Sequence, residues 1–535
     1  MEMECGMSLI KANDYYLKDH NKSKNQEPRY QEPKKEQQKN QVSKKSQTKN
    51  SKRFPLTDEL SNLKFCICFF LLIFSLLLPL FFGSWHLGSW IFAKYDNMNI
   101  DQTTYNDLSI FHSEEEFSVF HRLNFTETVE GRDWLWTFFS NPFSDRKQIE
   151  ETQQILRSIL EHDAEWPISI SNGTLMVIDK FYDGNIDSIP ESDSFINAFS
   201  YKLFHSPDFS LVKYSLTHFA DFFRGMRQLV DLLNHENAPL MIRAYLRRAN
   251  DLMNKPIIDQ LSKRDPALPF SWRETILYGN YVKDHYKHPV QELVNIFGRF
   301  DAWHSMAIAS KKLNLSFPRF TNDPQPLIDA QQLYHILLPS PVPYDVHMSK
   351  ESNFIFLTGA NMAGKSTFIK AVGCAVFLAH LGMGVPAQEM ELSIFDGLLS
   401  NINVVDNIIK GESYFFNEVQ RIRNTILKIN DGGKWLVLID ELFKGTNVQD
   451  AMKCSSAVIK GLIRIKNSLF ILSTHLYEIG EEMKQYPNIS FRYFETAVTE
   501  DQLEFSYQLK EGISNDRIGY LILKREKVVE LLEKL

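Results

Sequence analysis

The chain has 535 residues and a mass of 62.3 kDa, which at roughly 100 to 200 residues per domain leaves room for about three or four folded units. With 44% hydrophobic, 13% aromatic and 23% charged residues, most of it can bury a core, which excludes a wholly disordered or collagen-like chain. A mean hydropathy of -0.27 with one long apolar run excludes a multi-spanning transporter, and five cysteines in no even framework or paired CxxC pattern point to a reducing compartment without structural zinc.

The net charge of -7 is unevenly spread. Residues 1–64 carry 14 Lys/Arg against 9 Asp/Glu, a balance of +5 that leaves -12 on the remainder. Lys34 to Arg53 holds eight basic residues and the single acidic Glu36 among Gln, Asn and Ser, with no apolar periodicity. Residues 1–63 therefore read as a disordered basic tail, either simply solvated or held by nucleic acid or an anionic membrane surface.

Phe65 to Ala93 is a run of 29 residues without formal charge, bracketed by Lys64 and Lys94. About 20 residues cross a bilayer once and two crossings need about 40, so the segment 64–94 has room for one span or for a re-entrant helix kinked at Pro79. The positive-inside rule keeps the basic tail cytoplasmic, and a true span would then export the nucleotide-binding pattern that lies downstream. The readings left are an anchor at the inner face of the membrane, a helix buried in protein, or an apolar segment translated from an upstream start codon. Each leaves residues 95–535 in the cytoplasm.

Residues 95–326 read as a mainly helical body. Ile149, Ile155, Leu156, Ile159 and Leu160 share one helical face, as do Leu216, Phe219, Phe223, Met226, Leu229, Val230 and Leu233. The stretch Ile168 to Ile178 reads as strand-like, and Pro/Asn/Asp-rich joints fall near 186–193 and 321–326.

Residues 327–535 read as an α/β domain. FIFLTGANMAGKST, Phe354 to Thr367, is GxxxxGK[ST] between an apolar strand and a helix expected to begin near Thr367. Its residues Gly359, Asn361, Met362, Ala363, Gly364, Lys365, Ser366 and Thr367 form a phosphate cradle: the glycines admit backbone amides, and the helix N-terminus adds about half a positive charge. Lys365 is expected at the β- and γ-phosphates and the Ser366 hydroxyl on Mg²⁺. A neighbouring strand, Trp435 to Ile439, ends in Asp440 and Glu441. Asp440 is the expected second metal ligand, and Glu441 orients or deprotonates the attacking water, although an acidic pair at a strand end also suits a solvated turn. A third strand, Leu469 to Ser473, delivers His475 to the same sheet edge, where it either reaches the γ-phosphate or is a structural histidine. In GESYFFNEVQRI, Gly411 to Ile422, Phe415, Val419, Ile422, Ile426 and Ile429 mark a helix with Ser413 as N-cap, a hydroxyl and free amides that suit an anion or an ordinary cap.

These residues resemble the MutS family of DNA mismatch-repair ATPases, of the ABC-type nucleotide-binding class. The resemblance is carried by TGANMAGKST, GMGVPAQEMEL (Gly382 to Leu392), GESYFF, LIDELFKGTN and STH in the family's order and spacing. Arg122 to Asp145, with its Thr-x-x-Gly-Arg segment, and Phe300 to Phe320 resemble the two ends of the family's helical core. The resemblance implies an ABC-type P-loop ATPase domain behind a helical core/lever domain, with ATP and Mg²⁺ as cofactors. It also implies a head-to-head homodimer in which Ser413 completes the partner's nucleotide site and Asn361 faces the nucleotide. Ala360 stands where proline is usual and Lys444 where arginine is usual. No mismatch-reading domain or Phe-x-Glu wedge precedes the core, and about 150 residues between the lever segments leave little room for long arms.

The expected function is ATP-dependent DNA binding of the MutS type, with mismatch recognition in doubt. The rivals are a membrane-associated ATP-gated scaffold anchored through residues 65–93, which the acidic balance favours, and a relative that reads branched DNA by shape. DNA contact is expected from Arg243, Arg247 and Arg248, residues that also suit a solvated helix face.

Overall fold

The computed structural model describes residues 97–167, 169–235, 238–403, 414–499, 502–514, 523–524 and 527–533. The basic tail, the apolar run Phe65–Ala93 and Ser413 lie outside them, and among the described residues no helix is long and apolar enough to cross a membrane. The chain enters through β1 (Asn99–Ile100) and the short helix α1 (Gln102–Asp107). The helical body follows, with α2 (Val119–Leu123), α3 (Val129–Ser140), α4 (Arg146–Glu161), α5 (Asn172–Asp183), α6 (Phe195–Phe204), α7 (Ser206–Leu233), α8 (Leu240–Met253), α9 (Pro256–Lys263), α10 (Trp272–Asn280) and α11 (Lys287–Lys312).

Local chemistry starts these helices: Asp101, Ser118, Thr128, Asp145, Ser171, Ser194 and Ser271 each accept a backbone N–H of a first turn. The two apolar stripes form the core, with Ile149, Ile155, Leu156 and Ile159 of α4 and the whole α7 set buried, and Leu160 half-buried. The strand-like reading of Ile168 to Ile178 is corrected. Ser171 caps helix α5, whose Leu175, Ile178 and Phe181 are buried at three-residue spacing, so the cap and one buried helical face outweigh the β-branched composition.

The Thr-x-x-Gly segment is explained by α11. The buried Asp301 carboxylate accepts the backbone N–H groups of Glu127 (3.1 Å) and Thr128 (2.9 Å) and the Thr128 hydroxyl (2.6 Å), and that hydroxyl accepts the Gly131 N–H at 3.0 Å. A Cβ at Gly131 would sit 2.0 Å from Asp301 Oδ2, so only glycine lets the two helices approach this closely.

The remaining strands are β2 (Arg319–Phe320), β3 (Ile328–Leu333), β4 (Tyr344–Met348), β5 (Phe354–Thr358), β6 (Glu389–Leu392), β7 (Gly397–Asn401), β8 (Trp435–Asp440), β9 (Leu469–Ser473), β10 (Ile489–Thr499) and β11 (Gln502–Glu511). The large sheet runs β1-β7-β8-β9-β5-β10-β11, parallel except for the β10–β11 hairpin, and a small sheet runs β2-β6-β3-β4. β5, β8 and β9 are buried on both faces, hence their unbroken apolar sequences. Ile355, Leu357, Leu436, Leu438, Leu469 and Ile471 join the core of α12 (Lys365–His380) and the helical body. Their alternates, among them Phe354, Phe356, Val437, Ile439, Phe470 and Leu472, join a second core with α13 (Tyr414–Ile429), α14 (Val448–Leu462) and α15 (Tyr477–Met483). One continuous apolar core holds Leu135 and Ile155 together with Val372 and Leu438, on both sides of residues 326/327, and the sheet takes its edge strand β1 from upstream of the helical body.

Candidate nucleotide site

The loop 359–364 joins β5 to α12. Gly359 (φ +134°) and Gly364 (φ +107°) take backbone conformations that side-chain-bearing residues rarely adopt, and Met362 (φ +73°) lies 70% exposed on the loop. The helix begins at Lys365, not near Thr367, with Gly364 as its N-cap. The amides of Lys365, Ser366 and Thr367 therefore belong to the first turn, whose N–H groups have no partner within the helix.

Lys365 is buried, and its ammonium donates to Gly359 O at 2.8 Å, Ala360 O at 3.0 Å and Asn361 Oδ1 at 3.4 Å. Burial lowers its pKa, opposed by the nearby Glu441 and Asp440 carboxylates. Ser366 Oγ donates to Asp440 Oδ2 at 2.5 Å, and Ser473 Oγ hydrogen-bonds the other carboxylate oxygen, Oδ1. The acidic strand is not the neighbour of β5, as the sequence reading has it: β9 lies between them, pairing Leu357 with Ser473 and Ser473 with Asp440. Asp440 nevertheless meets Ser366, the second residue of α12.

Glu441 (φ +62°) leaves β8 with its N–H on Ser473 O at 3.0 Å. Its Oε2 lies 3.5 Å from both His475 Nδ1 and Lys444 Nζ. The His475 hydrogen bond, aided by Lys444 and Lys365 against the effect of burial, holds the Glu441 carboxyl down at about 2. Buried Glu418 of α13 accepts the Lys444 and Gly445 N–H groups at 2.9 and 3.1 Å, which ties the loop after Glu441 to the helix behind GESYFF.

A cleft of about 590 Å³ takes in Asn361, Lys365, Ser366 and Glu441, and Leu338, Val342, Tyr344 and Tyr507 supply apolar lining. Sequence reasoning does not single out these four: Leu338 and Val342 lie in the β3–β4 connection, Tyr344 opens β4 and Tyr507 belongs to β11, and no motif joins them. The arrangement brings Lys365, Ser366, Asp440, Glu441 and His475 to one sheet edge, while Ser413 is outside the described residues. A serine hydroxyl and a carboxylate are hard oxygen donors, a set that fits Mg²⁺ with several retained waters. In α8, Arg248 is engaged by Glu292 at 2.6 and 2.7 Å, Arg243 is half-buried, and Arg247 is exposed.

A family model described as MutS domain V matches residues 355–530, which contain all of these motifs. The chain is 27% identical over 253 residues to the DNA mismatch repair protein MutS of Petrotoga mobilis, covering 46% of this chain and 31% of that protein. The corresponding figures are 29% over 230 residues for MutS of Pseudothermotoga lettingae (43% and 28%) and 29% over 274 residues for DNA mismatch repair protein MSH3 of Candida glabrata (47% and 26%). Through residues 355–530 the chain is similar to the MutS family. The match spans less than a third of each of these relatives. Within the MutS frame, β1 and α1 sit on the sheet edge beside β7, a placement that no motif in the sequence announced.

Proposed function

We propose that the protein is an Mg²⁺-dependent ATPase that works as a homodimer and uses the nucleotide cycle to change how its helical body holds DNA. The observation that carries this reading is the convergence of Lys365, Ser366 and Glu441 on one cleft, with Asp440 hydrogen-bonded to Ser366, inside the region matched to MutS domain V. Lys365 and the first-turn amides of α12 bind the β- and γ-phosphates. Ser366 and Asp440 hold Mg²⁺, which when bound neutralises charge on the phosphate oxygens. Glu441, kept ionised by His475, orients the attacking water through its carboxylate. Ser413 contributes its hydroxyl to the partner's γ-phosphate, and Asn361 faces the nucleotide.

The -12 balance after residue 64, together with the uncharged run Phe65–Ala93, supports a second reading, an ATP-gated scaffold held at the membrane without DNA. Steady-state hydrolysis decides the enzymatic reading: Glu441→Gln is expected to keep ATP bound while turnover falls about 10²-fold or more. Equal turnover in the two proteins would remove Glu441 from the mechanism. Fractionation of cells followed by DNA retardation with salt-extracted protein separates the two readings.

A further inference from the structure

The turn that follows β8 is strained. Glu441 (φ +62°) and Phe443 (φ +60°) both hold a left-handed conformation that residues with side chains rarely adopt. Two such residues in one turn persist only where the contacts around them over-determine the backbone, and three contacts do so here. The Glu441 N–H is on Ser473 O at 3.0 Å. The buried Phe443 ring packs on Phe415 of α13, with centroids 5.7 Å apart. Glu418, one turn further along α13 and 4% exposed, divides its carboxylate between two backbone donors: Oε1 accepts the Lys444 N–H at 2.9 Å and Oε2 the Gly445 N–H at 3.1 Å. Glu418 does not line the nucleotide cleft.

The helix that carries Glu418 is itself fixed. Arg421, three residues on, donates to the two Asp101 oxygens at 2.8 and 3.1 Å and to Asn401 Oδ1 and Ser400 O at 2.6 Å each. Ser400 in turn donates its hydroxyl to buried Asp107 at 2.6 Å, and Asp107 also accepts the Ile402 and Asn403 N–H groups at 3.0 Å each. One turn of α13 is therefore pinned to α1 and the end of β7, and the turn before it to the loop after Glu441. The fit on that side is close. A Cβ on Gly445 would sit 2.7 Å from both the Phe415 backbone nitrogen and Tyr414 Cδ1, so the loop and the first turn of α13 meet directly. A carboxylate with one oxygen on each of two amides holds a single geometry, because any displacement leaves a buried donor unpaired. What it holds matters to the cleft: the Lys444 ammonium lies 3.5 Å from Glu441 Oε2, so a shift of this loop moves a charge that touches the carboxylate.

We propose that Glu418 is a positioning residue for hydrolysis, locking residues 441–445 against α13 so that the Glu441 carboxylate is held in its place at the cleft. That role rests on the water-orienting Glu441 proposed above. Glu418 touches neither nucleotide nor metal and acts through Glu441, so its loss should slow the chemical step and leave nucleotide binding in place.

The test uses the full chain. Glu418→Gln keeps the size of the side chain but offers one acceptor oxygen where two amides each need one, and Gly445→Ala drives the loop and α13 apart from the other side. Each is expected to lower kcat about ten- to a hundredfold, with the affinity for a fluorescent ATP analogue and the melting temperature close to wild type. Combination with Glu441→Gln separates positioning from general damage: once the Glu441 carboxylate is gone, adding Glu418→Gln should lower turnover no further. If Glu418→Gln does not fold, Gly445→Ala decides by the same measurements. Wild-type turnover in Glu441→Gln would show that the role given to Glu441 is wrong, and the role of Glu418 falls with it. If Glu441→Gln is slow but Glu418→Gln and Gly445→Ala are fully active, lose nucleotide affinity in parallel with kcat, or lower turnover by the same factor in the Glu441→Gln background, the role of Glu418 alone is overturned.

Discussion

Ser366 and Asp440 meet at 2.5 Å although β5, which leads into the helix of Ser366, and β8, which carries Asp440, are separated by β9. Ser473, on that intervening strand, hydrogen-bonds the second Asp440 oxygen, so the carboxylate is oriented from two sides before any metal arrives. Loss of an oriented ligand or of its orienting partner typically costs about 10- to 100-fold in metal affinity. Asp440→Asn should therefore raise the Mg²⁺ concentration needed for half-maximal turnover by at least about tenfold, and Ser473→Ala should raise it by less. Titrating Mg²⁺ at saturating ATP measures this, and an unchanged half-point in Asp440→Asn would remove that residue from the metal shell.

Glu441 and His475 set the pH behaviour. The folded Glu441 carboxyl titrates at about 2, below its ordinary 4.5. Its stabilising contribution is thus fully present above about pH 4.5 and is lost as pH falls from there towards 2. The carboxylate needed to orient water is ionised through the same range, so Glu441 adds no acidic limb to the pH–rate profile above about pH 4. Removing the hydrogen bond with His475→Ala should move the Glu441 titration up towards the ordinary range and bring an acidic limb to about pH 4 to 5. Turnover measured in overlapping buffers from pH 4 to 8 checks it, and identical acidic limbs in the two proteins would count against the His475–Glu441 coupling.

What was legible in the sequence is what short spacing encodes. Gly359 to Ser366 is a continuous motif, and Asp440 and His475 each end an apolar run, so their arrival at one sheet edge could be read without coordinates. The order of strands could not, because pairing β9 between β5 and β8 is a long-range choice with no local signature. Ile168 to Ile178 misleads for the opposite reason: its β-branched residues suit a strand, and the helix is decided by the Ser171 cap, a single side-chain contact. The hydrogen bond between Ser400 and Asp107, 293 residues apart, is an isolated contact that no periodicity or motif reports.

Asp301 and Gly131 offer a stability test away from the cleft. Asp301→Ala leaves the Glu127 and Thr128 amides and the Thr128 hydroxyl without their buried acceptor, a loss of about 3 kcal/mol or more. Gly131→Ala puts a methyl 2.0 Å from Asp301 Oδ2 and should cost about 1–3 kcal/mol through forced separation of α3 and α11. In the double variant the Oδ2 and Cγ contacts go with the carboxylate and only the Cβ of residue 301, 2.8 Å away, still has to give, so the two losses should be less than additive. Chemical denaturation of the four proteins completes the cycle, and strict additivity would contradict the contact.

The N-terminal truncations should divide sharply at β1. A chain lacking residues 1–94 retains Asn99–Ile100 on the edge of the sheet and all of α1, and is expected to keep the melting temperature and ATP turnover of the full chain. A chain lacking residues 1–109 loses the sheet's edge strand, the Asp101–Arg421 pair and the Asp107 anchor, and should be markedly less stable. Thermal melts of both decide the point, and equal melting temperatures would show that β1 and α1 contribute nothing to the sheet.

DNA binding should be electrostatic and nearly blind to mismatches. Recognising a mismatch requires a wedge placed at the weakened stack and a bend in the duplex, and the Phe-x-Glu triplet ahead of α3, Phe125 to Glu127, is tied to α11 by the Phe125 N–H on Ser305 Oγ and the Glu127 N–H on Asp301. The basic face on α8 is also weaker than the sequence suggests, because the guanidinium of Arg248 is taken by Glu292. Arg247 remains exposed and is the member of the trio best placed to meet a phosphate. Arg247→Ala should therefore weaken binding to every duplex alike and lower the salt slope by about one, whereas Arg248→Ala should change it less. Matched and mismatched duplexes should differ by less than about tenfold in affinity, with both falling steeply between low and physiological salt. Gel-shift titrations of both duplexes at two salt concentrations measure each quantity, and a hundredfold preference for the mismatch would require a recognition element outside the residues described.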